Sequence, residues 1–263
     1  MGFIVDAYSD RGIKKNVNQD ALLVKQGNVD GIGNICIGVL CDGMGGLSSG
    51  EVASSSFIDR MDEWFKNELP ALLVDNDRTV PLNGEIYMCN ASDLKKKIEV
   101  SWKRIIFDMN NKIMSYGVEK GIRLGTTVVA IIIIGDTYLS MNVGDSRGYK
   151  FDTKSIEMVS HDHSYVQQQV ELGRMTIEEA ELSDKKSVLL QCIGASKKVE
   201  PEFFTGKFNR NIHFVLCSDG FWRKLKPQEI MFIAPQPKGL EKLTQMAMDR
   251  GENDNISSLI ISV

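Results

Sequence analysis

Four short acidic turns, each beside an apolar run, constrain this chain more than any other feature of its sequence. The first complete one is Cys41-Asp42-Gly43-Met44-Gly45-Gly46. It follows an apolar run over 35–40 that reads as a buried strand, and it precedes Ser48-Ser49-Gly50-Glu51, which reads as the start of a helix. A strand ending in Asp-Gly places a carboxylate and a backbone carbonyl with no neighbouring Cβ at the rim of a sheet. The other three turns are Asn18-Gln19-Asp20, Ser218-Asp219-Gly220 and Asn253-Asp254-Asn255. Any one of them alone is more often a turn than a ligand. Together they imply neighbouring strands whose aspartates converge on divalent metal ions.

The rest of the pattern says which strands could be neighbours. Residues 3–8 alternate as a strand does, 21–25 form a second short strand, and 26–33 read as a Gly/Asn/Asp loop. Residues 34–42 are apolar almost throughout, which predicts a strand buried on both faces. Ser48-x-x-Glu51 is a capping-box pattern. The helix it opens carries Val52, Phe57, Ile58, Met61, Trp64 and Phe65 as its apolar stripe, and Pro70 ends it or lies near its end. Residues 71–91 are irregular. Asp75-x-Asp77 begins like an EF-hand loop, but Val80 and Ile86 stand where that loop needs Gly and Glu. Leu94, Ile98, Trp102, Ile105, Met109 and Ile113 then recur at helical spacing, predicting a long helix over 93–119 that Gly121 stops.

Strands are expected at 126–134, 137–143, 148–151 and 156–159, with Gly135-Asp136 as a hairpin turn. Short helices follow at 165–172 and 176–182, then strands at 188–193, 202–206 and 212–218. Helices at 227–233 and 240–250 precede a last strand over 256–263. Strands come in consecutive groups with helices between the groups. That order favours an α+β fold of antiparallel sheets covered by helices over a parallel βαβ sheet.

Composition removes several function classes. The net charge of −4, with no basic run longer than Lys95-Lys96-Lys97, argues against nucleic acid or an anionic membrane as partner. The five cysteines (Cys36, Cys41, Cys89, Cys192 and Cys217) are odd in number and show no C-x-x-C spacing, so neither a disulfide framework nor a zinc site is expected. A reducing compartment follows. The longest apolar stretch, 128–134, is too short to span a bilayer, and the N-terminus lacks the basic and apolar regions of a signal peptide. The expected location is the cytoplasm. There is no G-x-S-x-G elbow, no C-x₅-R loop and no Walker A lysine.

Carboxylates and a carbonyl are hard oxygen donors suited to Mg²⁺ or Mn²⁺. Two such ions about 3.5–4 Å apart lower the pKa of a shared water and clamp a phosphoryl group. The ordered set Asn18-Gln19-Asp20, Asp42-Gly43-Met44-Gly45-Gly46, Gly125-Thr126-Thr127, Asn142-Val143-Gly144-Asp145-Ser146-Arg147, Asp162-His163-Ser164, Cys217-Ser218-Asp219-Gly220 and Asp254-Asn255-Ile256 closely resembles the PP2C-like (PPM) metal-dependent Ser/Thr phosphatases, the bacterial branch in particular. The resemblance runs from about Tyr8 to the last strand.

The resemblance implies a single domain over 1–263, a four-layer α-β-β-α sandwich of two antiparallel sheets between helices. It implies two Mn²⁺ or Mg²⁺ ions held by Asp42, the Gly43 carbonyl, Asp219 and Asp254, with Asp42 bridging. Asp20 would act behind these ligands or through water, and Asp145 with Asp219 would hold a third, weaker ion. A water bridging the two ions would attack phosphoserine or phosphothreonine directly, with no phosphoenzyme. The segment at about 165–187 matches a flap beside the site, while 66–92 reads as an insertion unlike compact members of the family. Phosphorylated proteins would be the substrates, with a Ser/Thr kinase acting in opposition and the partner arriving in trans to a monomer.

Two positions depart from the family pattern. Lys15 stands where an Arg usually grips the phosphate, and it offers a point charge in place of a planar fork. Arg11, the nearest arginine, lies in the preceding turn. Met44 replaces a histidine that some members carry, so the leaving oxygen must take its proton from water. His163 and His213 are expected to be structural. The competing reading is a catalytically weak regulator that binds phosphoproteins on the same fold. Mn²⁺-dependent hydrolysis of p-nitrophenyl phosphate separates the two.

Overall fold

The computed structural model describes residues 2–45, 49–74, 89–209 and 211–263. The sequence order of apolar runs resolves into two antiparallel sheets. One has the strand order β1 (Ile4–Asp10), β11 (Ile256–Ser262), β10 (His213–Cys217), β7 (Arg147–Phe151) and β8 (Ile156–Met158). The other runs β2 (Asp20–Val29), β3 (Gly33–Gly45), β5 (Val128–Ile134), β6 (Thr137–Val143) and β9 (Glu202–Lys207), with β4 (Leu124–Thr126) paired to the tail of β3. The expected antiparallel α+β sandwich is what forms.

Alternation along the strands explains the layering. In β3, Ile35, Ile37, Val39 and Cys41 pack toward α1 (Gly50–Glu63) and α3 (Ala91–Lys120), while Cys36 and Leu40 face the other sheet. In β5, Val128, Ala130, Ile132 and Ile134 take the helix side, and Val129, Ile131 and Ile133 the inter-sheet side. Val215 and Cys217 of β10 pack toward α6 (Asp219–Trp222), α7 (Pro227–Ile233) and α8 (Gly239–Asp249), while Phe214 and Leu216 face inward. Three apolar layers therefore separate four layers of secondary structure. Gly38 lets the sheets close, since a Cβ there would lie 3.0 Å from Leu259 Cδ1 and 3.1 Å from Ile261 Cδ1. All five cysteines are buried and free, as expected of small apolar fillers.

Several local expectations change. The loop expected at 26–33 contracts, because Gln26 to Val29 pair in register with Cys36 to Gly33. A long apolar partner strand supplies ladder bonds that override the turn-forming composition. Of the two readings of Pro70, the second holds. A π-helical turn at Trp64–Glu68 follows α1, and Pro70 sits in the first turn of α2 (Leu69–Leu73), where its missing N–H is not needed. The strand expected at 188–193 is reduced to the bridges Thr126↔Ile193 and Ser164↔Leu189, because this segment crosses strand ends and meets no continuous partner. Ser49, not Ser48, occupies the N-cap position of α1 and makes no side-chain cap bond; Ser48 lies outside the described residues. So does 75–88, which holds Asp75, Asp77 and most of the expected insertion.

Candidate functional site

Pairing register brings the first two aspartates together. Asp20 opens β2 directly opposite Asp42 near the end of β3. The Asp42 amide donates to Thr127 Oγ1 at 3.1 Å, and its carbonyl accepts from Thr127 N at 2.9 Å and Thr126 Oγ1 at 3.0 Å. These bonds explain why Gly125-Thr126-Thr127 belongs to the pattern: they fix the backbone from which the Asp42 carboxylate projects. Gly43 is required because a Cβ there would fall 2.3 Å from the Gly50 carbonyl oxygen. The Gly43 amide donates to the Gln19 carbonyl at 3.1 Å, tying the first two turns.

The other aspartates are positioned by the opposite sheet. Asp219 begins α6, a one-turn helix that follows β10. Gly220 allows α6 to approach the last of the four turns, since a Cβ would meet the Asn255 carbonyl oxygen at 2.2 Å. Asn255 staples the chain's start to its end. Its Oδ1 accepts from Gln19 N at 3.0 Å, and its Nδ2 donates to the Arg11 and Val17 carbonyls at 2.9 and 3.1 Å. The stapled loop carries Lys15, whose Nζ lies 2.7 Å from Asp254 Oδ1. Arg11 contributes its carbonyl to this staple. Asp145 lies in the β6–β7 turn, where Trp222 Nε1 donates to its carbonyl at 3.0 Å.

The charges of the cluster are mutually unfavourable. Burial, then Asp20, Asp219, Asp145 and Asp254, push the Asp42 carboxyl well above the usual range. Burial, with Asp219 and Asp254, raises Asp20 to about 7 against the pull of the nearby Ser257 and Ser218 hydroxyls. Burial and Asp219 raise Asp145 to about 7 against the pull of Arg223. Burial also raises Asp219, with Arg223 opposing and Asp254 adding. Lys15 is held above its ordinary value. Burial disfavours its charge, but the ion pair with Asp254 and the fields of Asp42 and Asp219 outweigh that.

The donors fit a divalent cation. Both carboxylate oxygens of Asp20 and Oδ1 of Asp219 are buried with no hydrogen-bond partner. Buried carboxylate oxygens left unpaired cost several kcal/mol, which a hard cation offsets. Asp20, Asp42, Asp145, Asp219 and Asp254 thus lie close enough for their charges to act on one another.

Arg223, Glu171 and Glu202 were missed by sequence reasoning. Arg223 joins Asp219 and Asp145 through contacts of 2.8 and 3.2 Å. Its only signal was its spacing, one helical turn after Asp219. A second cluster contains His161, His163 and Glu202, whose potential ligand atoms lie within 4.8 Å of one another. His161 Nδ1 lies 2.8 Å from Glu202 Oε1, its Nε2 lies 2.5 Å from Glu171 Oε1, and His163 Nε2 lies 3.3 Å from Glu202 Oε1. His163 Nδ1 accepts from the Gly144 amide at 3.2 Å, which puts its ring proton on Nε2. Both histidine nitrogens facing Glu202 therefore carry protons, and this cluster is a hydrogen-bonded clamp. The structural role expected for His163 follows. His213 accepts the same description: it stacks on Phe151 and pairs with Ser262 Oγ at 2.8 Å.

The sequence profile described as protein phosphatase 2C matches residues 11–257. The chain belongs to the protein phosphatase 2C family. Among family members it is 28% identical to a serine/threonine phosphatase stp of Listeria welshimeri, over 96% of this chain and 93% of the relative. It is 25% identical to the protein phosphatase PhpP of Streptococcus pneumoniae, over 98% and 97%. The crystal structure of the serine/threonine phosphatase Stp1 from Staphylococcus aureus superposes with a TM-score of 0.81 at 26% identity, covering 100% of this chain and 96% of that one. The four layers are thus a feature shared with protein phosphatase 2C relatives.

Proposed function

We propose that this chain is a metal-dependent protein serine/threonine phosphatase that hydrolyses phosphoserine and phosphothreonine esters on protein substrates. The observation that carries the reading is the set of buried, unpartnered oxygens on Asp20 and Asp219 inside a cluster of five carboxylates. At neutral pH such a cluster is relieved by protons or by cations among its oxygens, and hard oxygen donors in this number suit divalent cations. Asp42, the Gly43 carbonyl, Asp219 and Asp254 are the residues that would hold two Mn²⁺ or Mg²⁺ ions. Bound there, the pair supplies a water nucleophile near neutral pH and neutralises charge on the phosphoryl group.

The chain's own residues do the rest. Asp20, opposite Asp42, orients water at the back of the rim. Lys15 is mounted on the loop stapled by Asn255, and its ammonium supplies positive charge for the phosphate. Met44 has no proton to give, so the leaving serine or threonine oxygen takes one from water. The segment at 165–187, with α4 (Tyr165–Glu171) and α5 (Ile177–Leu182), borders the site as a flap and influences which substrates enter. No helix among the described residues is long and apolar enough to cross a membrane. The reading includes a monomer of one domain in the cytoplasm, acting against a Ser/Thr kinase.

The test is Mn²⁺-dependent turnover of p-nitrophenyl phosphate and of a phosphothreonine peptide. Turnover that chelation removes and Mn²⁺ restores is expected. A metal-replete protein with no turnover on any phosphopeptide overturns the proposal in favour of a phosphoprotein-binding regulator.

A further inference from the structure

One cation is already built into the acidic rim. Arg223 lies four residues after Asp219, so α6 turns its side chain back onto its own first residue. Nη2 lies 2.8 Å from Asp219 Oδ2 and 3.2 Å from Asp145 Oδ2. The same guanidinium reaches the end of the 165–187 segment: Nη1 donates to Ser187 Oγ at 3.2 Å and Nη2 to the Lys186 carbonyl at 3.4 Å. Its side chain is 16% exposed, and those of Asp145 and Asp219 are 7% and 12% exposed.

Asp219 divides its two oxygens. Oδ2 is taken by Arg223, while Oδ1 is buried without a partner. One oxygen thus serves the guanidinium and the other remains for the rim shared with Asp42 and Asp254. Asp145 Oδ2 meets the same Nη2, so Arg223 holds one oxygen of each carboxylate of the pair. The supporting loop is held as well. Trp222 Nε1 bonds the Asp145 carbonyl, and the Trp222 ring lies 3.3 Å from the Arg147 guanidinium carbon.

We propose that Arg223 is a resident monocation at the Asp145–Asp219 pair, which keeps a third divalent ion out of that pair and ties the end of the 165–187 flap to the metal-binding rim. The inference rests on the reading of the rim as a two-ion site. A divalent ion could take the two oxygens that Arg223 holds only by displacing a planar fork that also holds two flap contacts. Arg223 is a positioning residue. It touches the carboxylates and the flap, and it makes the flap's closure depend on the same aspartate that binds metal.

Mn²⁺ titration, with free ion followed by electron paramagnetic resonance, tests the first half. The wild-type chain is expected to bind two ions and Arg223→Ala three, the extra one weaker; adding Asp145→Asn to Arg223→Ala returns the count to two. Amide exchange at 183–188, read by mass spectrometry, tests the second half: Arg223→Ala is expected to exchange about tenfold faster there, with or without Mn²⁺. A third ion on the wild-type chain, or an unchanged count and unchanged exchange in Arg223→Ala, overturns the inference. A wild-type chain that binds no Mn²⁺ overturns the two-ion reading instead, and the exchange measurement still decides the tether. If Arg223→Ala does not fold by circular dichroism, Arg223→Lys is read in the same way. One ammonium cannot span both carboxylates and the flap, so faster exchange and a weak extra ion are expected, and no change in either overturns the proposal.

Discussion

Two clusters of potential metal ligands lie close together in this molecule, and they have opposite characters. The aspartate rim gathers five carboxylates, and the buried oxygens of Asp20 and Oδ1 of Asp219 have no partner. The His161–His163–Glu202 cluster begins at the residue bonded to Gly144, next to Asp145, yet its facing atoms satisfy one another. It is the tighter grouping by distance alone. Proximity is therefore a poor guide to a metal centre. What separates the two is whether protons already occupy the donor atoms. Carboxylates forced together in a buried place hold protons or cations, whereas in the second cluster imidazole N–H groups already donate to the glutamates.

The largest effect that would break this contrast is Asp42→Asn. We expect Mn²⁺-supported turnover to fall by at least about 10³-fold, roughly 4 kcal/mol of transition-state stabilisation. The metal-free variant should at the same time be more stable than the parent by about 1–2 kcal/mol, because one of the repelling carboxylates is gone. A chelated thermal melt that shows Asp42→Asn destabilised would contradict the account of the rim.

Metal addition should stabilise only through the rim. At a Mn²⁺ concentration about 100-fold above its Kd, linkage stabilises the folded chain by about 2.7 kcal/mol. His161→Ala with His163→Ala is expected to leave the number of bound ions unchanged, and an ion lost from that variant in equilibrium dialysis would make the second cluster a metal site after all. Lys15→Ala is smaller in effect: KM for a phosphopeptide should rise about tenfold, about 1.4 kcal/mol, with kcat changed less. An unchanged KM removes Lys15 from the phosphate.

The smallest effect concerns pH at the clamp. His161 is buried enough to disfavour its charge, but Glu171 and Glu202 outweigh that and raise its pKa. A raised histidine stabilises the fold below its ordinary range and loses that contribution as pH climbs through the folded value. His163 is lowered by burial, so its contribution is present above the ordinary range and fades as pH falls through its folded value. The contact from His161 to Glu171 on α4 should therefore loosen as pH rises through the raised folded value of His161, on the alkaline side of the ordinary histidine range. Exchange at Tyr165–Glu171, corrected for intrinsic rates, should show this in the parent and not in Glu171→Gln. Equal pH profiles would remove the clamp from flap control.

How far the sequence could be read depended on the range over which each signal acts. The buried strands β3 and β5 were legible because continuous apolar runs leave few alternatives, and the long helix α3 because its stripe recurs at helical spacing from Leu94 to Ile113. The aspartates were legible because each sits at a turn beside such a run. Gln26–Val29 misled because its composition favours a turn, and pairing with Cys36 to Gly33 is a property of the sheet. Residues 188–193 misled in the other direction, being apolar enough for a strand but without an edge to join.

Arg223 shows the same limit at the site. Its partner Asp145 lies 78 residues away, and α6 is four residues long, too short for any periodicity to announce it. Residue types and local spacing decided that this chain would carry hard oxygen donors at strand ends, since those are properties of a few neighbouring atoms. Only the closing of one sheet on the other decided which oxygens are buried, which are paired, and which cation each one meets. Burial and pairing are set by groups far apart in the chain, and no local pattern encodes them.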